Sequence, residues 1–134
     1  MADYQDIVMS KDKQPNITPN ILTQSVVSMA VESWRLAKMF DRLLTKLDAG
    51  EQNRYKSQFR WFIKKVEEAL EQVDLRIVNV EGSPFDPGMA ATPLNIEEFD
   101  TKDILVVDQM LEPIIMGKEG LVKTGTVTLR KVEI

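Results

Sequence analysis

The chain has 134 residues, 43% hydrophobic and 28% charged, which suits one soluble domain or a helical part with a small second module. Its formal net charge of −4 repels phosphate backbones, so nucleic acid is not an expected partner. With no Cys and no His, it excludes disulfides, thiol nucleophiles, the usual zinc centres and imidazole acid–base catalysis.

Among the remaining Ser, Thr, Lys, Tyr and carboxylates no nucleophile–base set is recognisable. A non-enzymatic protein without cofactor, metal or small-molecule substrate is expected. The start, Met1-Ala-Asp-Tyr-Gln-Asp, has no basic residue and no apolar run, and is not read as a signal peptide. No stretch approaches the ~20 apolar residues of a membrane span, so no membrane is expected as a partner and a cytoplasmic location is.

Residues 1–17 are polar and aperiodic and read as a disordered arm. Thr18 and Pro19 then read as N-cap and first position of a helix that runs to about Asp48, with Gly50 as its stop. Leu22, Val26, Met29, Ser33, Leu36, Phe40, Leu43 and Leu47 step by 4 and 3, a heptad seam with one polar break. Val27, Ala30, Trp34, Ala37 and Leu44 widen the apolar face beyond that of a two-stranded coil.

A second helix is expected from about Glu51 to Asp74, with Tyr55, Phe59, Phe62, Val66, Ala69 and Val73 as its seam and Trp61 and Leu70 beside it. Both tryptophans read as buried bundle residues. The short link implies an antiparallel hairpin over residues 18–74. Two helices cannot enclose such stripes alone, so a four-helix bundle formed by two copies is expected.

Residues 75–134 read as a small, all-β domain, which makes the fold α+β. Leu75 to Val80 is strand-like, and Gly82 to Gly88 is a turn-rich loop with no phosphate-cradling pattern. Residues 89–103 are mixed; Glu97, Glu98, Asp100 and Asp103 lack calcium-loop spacing and read as a solvated acidic loop. Ile104 to Val107 is a strand, and Asp108 to Met116 is extended with an edge or bulge at Pro113. Gly117 to Gly120 is a hairpin turn, and Leu121 to Val132 is one last alternating strand.

Leu75-Arg-Ile-Val-Asn-Val-Glu-Gly82-Ser-Pro-Phe85-Asp86-Pro87 resembles the GrpE family of nucleotide exchange factors, in which a strand after the last bundle helix leads to Gly, two residues and Phe-Asp-Pro. Met39-Phe-Asp41-Arg42-Leu-Leu44 is similar to the family's Leu-Asp/Glu-Arg-Ala-Leu segment. The Val-rich strand at Val106-Val107, the Gly-containing turn and the last strand through Lys131 follow in the family's order. The resemblance spans about residues 35–131.

It departs in several places. The family's long N-terminal paired helix is mostly missing, and Met89-Ala90-Ala91 replaces its His stretch. Ile114-Ile115 stands for its Gly-Tyr, and Lys123-Thr124-Gly125 for its Arg-Pro-Ala, with loss of the planar guanidinium fork.

The resemblance implies a homodimer through the helices, with β domains that dock on the nucleotide-binding domain of a DnaK-type chaperone, or a divergent chaperone-like ATPase, and promote ADP release. Exchange needs no catalytic residue. Binding the open, nucleotide-free cleft more tightly lowers nucleotide affinity by the same factor, and a ~1,000-fold effect takes about 4 kcal/mol.

Glu112, Ile114, Ile115, Met116 and Lys123 are the candidate docking residues, the two isoleucines having β-core burial as their other reading and Lys123 a solvated strand position. Leu22, Val26, Met29, Leu36, Phe40, Leu43, Leu47, Phe59, Phe62 and Val66 are the candidate dimer core, and Gly82, Phe85, Asp86 and Pro87 a structural loop. A non-enzymatic adaptor that uses the same scaffold for another partner is the alternative.

Overall fold

The computed structural model describes residues 17–133, with side chains from residue 21 onward. The arm expected at the start lies outside the described residues except for Ile17, which is helical. Helix α1 spans Ile17–Leu44, so Thr18 and Pro19 sit inside its first turn rather than at a cap. Helix α2 spans Ala49–Glu71 and returns antiparallel to α1. Phe40 holds the two together, stacked on Phe59 at 6.2 Å and edge-on to Tyr55 at 6.3 Å.

The link differs from the expected one for a local reason. Thr45, Lys46 and Leu47 donate their N–H groups three residues back, which tightens and ends α1 at Leu44. Asp48 then caps α2, its carboxylate accepting the Glu51 N–H at 2.9 Å. Gly50 lies in that first turn and stops nothing. Asp48-Ala-Gly-Glu51 carries the capping-box spacing, a signal for this start that reading Gly50 as a stop passed over.

Helix α2 closes before Asp74. The Leu75 N–H reaches the Leu70 carbonyl and the Asp74 N–H that of Glu71, both at 3.0 Å, with Asp74 at φ 61°. This is a Schellman ending with Asp where glycine is usual. Leu70 and Leu75 meet in one buried cluster, the apolar contact that accompanies such an ending.

Six short strands follow: β1 (Arg76–Val78), β2 (Ala91–Pro93), β3 (Leu105–Glu112), β4 (Ile114–Gly117), β5 (Gly120–Lys123) and β6 (Gly125–Lys131). They form two three-stranded sheets, ordered β1-β4-β5 and β2-β6-β3, with only β2 parallel to its neighbour. Residues 105–131 are therefore one long hairpin that bends at Pro113 and again at Thr124, its tip half in the first sheet and its base half in the second.

That bend corrects the single last strand expected from the alternation. A Cβ on Gly125 would lie 2.7 Å from Ile114 Cγ1 and 3.0 Å from the Glu112 carbonyl, so the two corners cross as closely as backbone allows. Register shifts on β3 and β5 add to the twist there. The mixed segment 89–103 supplies β2 and a 3-10 turn at Ile96–Glu98. The outer edge of β3 is covered by the loop after β1, through Gly82 N–H to Val107 O, Val107 N–H to Ser83 O and Phe85 N–H to Leu105 O, each 2.8–2.9 Å.

The chain is thus α+β, two helices followed by two small sheets. The two parts share their cores. Trp34 is buried with Met110, Ile114, Val127 and Leu129, while Ile115 and Leu75 are buried with Ala30, Val31 and Leu70. Ala37 and Leu44 complete the buried row of α1. Trp61 corrects the expectation of burial: it is 60% exposed, on the far side of α2, with the Lys65 ammonium 5.5 Å from its ring. Among the described residues no helix is long and apolar enough to cross a membrane.

Candidate docking surfaces

Helix α1 is fastened to the β half by Trp34, Arg35 and Lys38. Trp34 fills the β core, and its indole N–H, which must find an acceptor when buried, donates to the Met110 carbonyl at 2.6 Å. One turn on, Lys38 pairs with Glu81 and lies 5.2 Å over the Trp34 ring. The same Glu81 carboxylate accepts the Met110 N–H at 2.8 Å. Both backbone groups of Met110, exposed by the register shift in β3, are satisfied from outside the sheet.

Arg35 pairs with Glu112, which also accepts from the Thr126 hydroxyl at 2.8 Å and faces the Lys123 ammonium at 3.7 Å. The Thr126 hydrogen bond first, and then Arg35, hold the Glu112 carboxyl below its ordinary range. Lys123 also donates to the Thr124 carbonyl at 2.8 Å. The two charges singled out in the sequence are therefore brought together at the bend, where they stitch β3, β5 and β6 to α1.

The apolar members of that set divide differently. Ile115 is 0% and Ile114 3% exposed, one at the helix–sheet core and the other in the β core. Neither touches a partner while this fold persists; this corrects the docking role given to both. Met116 is half-buried. The open apolar surface on this sheet belongs to Leu121 and Val122 on edge strand β5, residues that the sequence reading assigned only to an alternating strand. Val122 occupies the extra position of the β4–β5 register shift, which turns two neighbours outward together. They line an open cleft with Val73, Gly117 and Lys118, and Lys118 pairs with Asp74 at 3.4 Å.

The helical rows also separate. Val31, Trp34, Ala37 and Leu44 turn inward. The heptad row turns outward: Leu22, Leu36 and Leu43 are more than half exposed and Met29 is 71% exposed. Val26, Phe40, Leu47, Phe59, Phe62 and Val66 are half-buried. Between the helices these residues line a groove. Leu36, Phe40, Phe59 and Phe62 border one stretch of about 250 Å3, and Val26, Met29, Phe62 and Val66 the next, of about 410 Å3. Phe62 belongs to both, so the trough is continuous.

The loop of Gly82, Phe85, Asp86 and Pro87 is engaged in structure. Gly82 adopts φ 83°, Phe85 packs on the β core, and the Asp86 carboxylate accepts the Gly88 N–H at 2.9 Å. Among the described residues no group of three acidic side chains is placed to hold a metal ion. No protein-family model, curated protein or solved structure matches the chain.

Proposed function

We propose that this chain is a homodimeric, GrpE-like co-chaperone: it pairs through its helical hairpin, docks its β half on the nucleotide-binding domain of a DnaK-type chaperone and promotes ADP release. The observation that carries the reading is the division of the α1 face. One apolar row is consumed by the β half and the other, with its α2 counterpart, is left open.

From Leu22 to Leu43 that row runs about 32 Å and spans two helices, of the order of 600 Å2, near one partner's share of a stable interface. A second copy related by a two-fold axis covers it with the same residues and makes a four-helix bundle. The ordered series of helix pair, Gly82-x-x-Phe85-Asp86-Pro87 and β hairpin supports the family reading.

Docking falls to Leu121, Val122 and Met116, rimmed by Lys118 and Lys123. A few apolar anchors with flanking charges are enough to favour an open nucleotide cleft by the few kcal/mol that exchange requires. Release of a fluorescent nucleotide from a DnaK-type chaperone, followed with increasing chain, tests this. Saturable acceleration, abolished by Leu121→Glu, supports it; unchanged release at every concentration sinks it. Light scattering tests the pairing: a monomer at tens of micromolar, or a Leu36→Glu chain that remains dimeric, removes the helical interface.

The adaptor reading is favoured by one observation. Arg35 and Lys123 both face the Glu112 carboxylate within the chain, so the charges at this bend are largely engaged internally. Binding without faster release would select it.

A further inference from the structure

The far end of the β half, opposite the hairpin tip, carries a second cleft of about 470 Å3. Its floor is apolar: Phe85 and Pro87 from the loop after β1, Ile96 and Phe99 from the 3-10 turn, and Leu105 from β3. Its walls are tied down. Asn95 exchanges two hydrogen bonds with the backbone of Leu129, at 2.8 and 3.0 Å, which pins the 3-10 turn to β6. The Asp103 carboxylate accepts the Asp100 N–H at 2.9 Å and closes the following turn, and Phe85 and Phe99 pack against the β core.

The rim is one-sided in charge. Glu97, Asp100 and Asp103 line the cleft, with Glu98 beside it and Lys102 as the one cation of this loop. Asp103 is answered by Lys131 at 3.4 Å, and Glu98 accepts from Asn95 at 3.3 Å. Among the described residues Glu97 and Asp100 have no cationic partner within salt-bridge distance. On either side Leu94 and Ile104 are also exposed.

We infer that this cleft is a docking site for a short basic amphipathic segment of a partner protein, which seats an aliphatic side chain on Phe85, Ile96, Phe99 and Leu105 and sets flanking Lys or Arg against Glu97 and Asp100. An apolar floor needs a cover, and a rim of unanswered carboxylates selects for cations and against acidic chains such as a second copy of this one, whose matching surface has the same sign. The pre-formed walls reduce the ordering cost of binding. The site lies apart from the β5 surface and does not depend on the exchange reading.

A fluorescein-labelled peptide of alternating Lys and Leu, seven residues long by design, titrated with the full chain and read by anisotropy, tests the inference. Saturable binding is expected. It should weaken about tenfold or more in the Glu97→Lys, Asp100→Lys double variant, weaken on raising salt, and weaken similarly when the peptide's Leu are replaced by Ser.

Neither carboxylate holds a turn, so the double variant should keep its melting temperature. Ile96→Asp, on the exposed wall, provides a second variant with the same expected loss. Equal binding by the Ser peptide reduces the effect to general charge attraction and overturns the inference, as does undiminished binding by both variants or no binding up to millimolar chain. Nucleotide release from a chaperone should be unaffected by the double variant, which separates this cleft from the proposed exchange surface.

Discussion

Val107, Met110, Ile115 and Val127 in the bent hairpin have no accessible surface, whereas Leu22, Met29, Leu36 and Leu43 along α1 keep more than half of theirs. The first group is spaced by strand alternation and closed by a helix that brings Trp34 with it. The second is spaced by heptads and, among the described residues, stays largely uncovered. Equal hydrophobicity therefore has unequal consequences. In the β half it is spent on folding, and on the helices it is left exposed, the surface that the proposed pairing would cover.

The largest test of that difference pairs one residue from each region. Ile115→Ala should cost about 2–5 kcal/mol in urea unfolding, because it empties a closed site between helix and sheet. Leu36→Ala, measured at concentrations low enough for a single copy, should cost less than about 0.5 kcal/mol, and show its main effect on the proposed pairing, as a higher dissociation concentration. Equal losses in the monomer would mean that the outward row is structural after all.

Next in size, Gly125→Ala forces a methyl into Ile114 and the Glu112 carbonyl and should cost about 1–3 kcal/mol, read as a lower thermal midpoint. A tolerated alanine would show that the two corners of the hairpin are further apart.

Glu112→Gln should cost about 1 kcal/mol at neutral pH, by loss of charge from its hydrogen bonds to Thr126 and Arg35. Its carboxyl is held below the ordinary value in the fold, so its contribution is present above the unfolded pKa and is lost as pH falls through the folded one. The gap between wild type and variant should therefore close below about pH 4, seen in melting curves taken across pH. A gap independent of pH would assign the loss to packing.

Smallest, and opposite in sign, Asp74→Gly should stabilise by about 0.5–1 kcal/mol, since glycine adopts a positive φ without strain and the exposed pair with Lys118 is worth little.

The residues proposed for docking were only partly legible. Glu112 and Lys123 are conspicuous as charges beside apolar strand residues, but nothing local shows that Arg35, 77 residues away, meets the same carboxylate. Ile114 and Ile115 are adjacent, so alternation places one on each face of β4; with a sheet on one side and a helix on the other, both faces are interior. Leu121 and Val122 escaped notice because a register shift cancels the alternation that would hide one of them.

Local chemistry alone determined much of this protein. Heptad and widened rows made the two helices, Asp48-Ala-Gly-Glu51 started the second, and Gly117 with Gly120 turned the hairpin, because each depends on neighbours within a few residues. The exclusion of Cys and His chemistry was equally complete. Only the tertiary structure decided which helical row turns inward, and that a single long hairpin serves two sheets. Those choices rest on contacts between distant residues, Trp34 with Met110 and Gly125 against Ile114, whose partners no spacing along the chain announces.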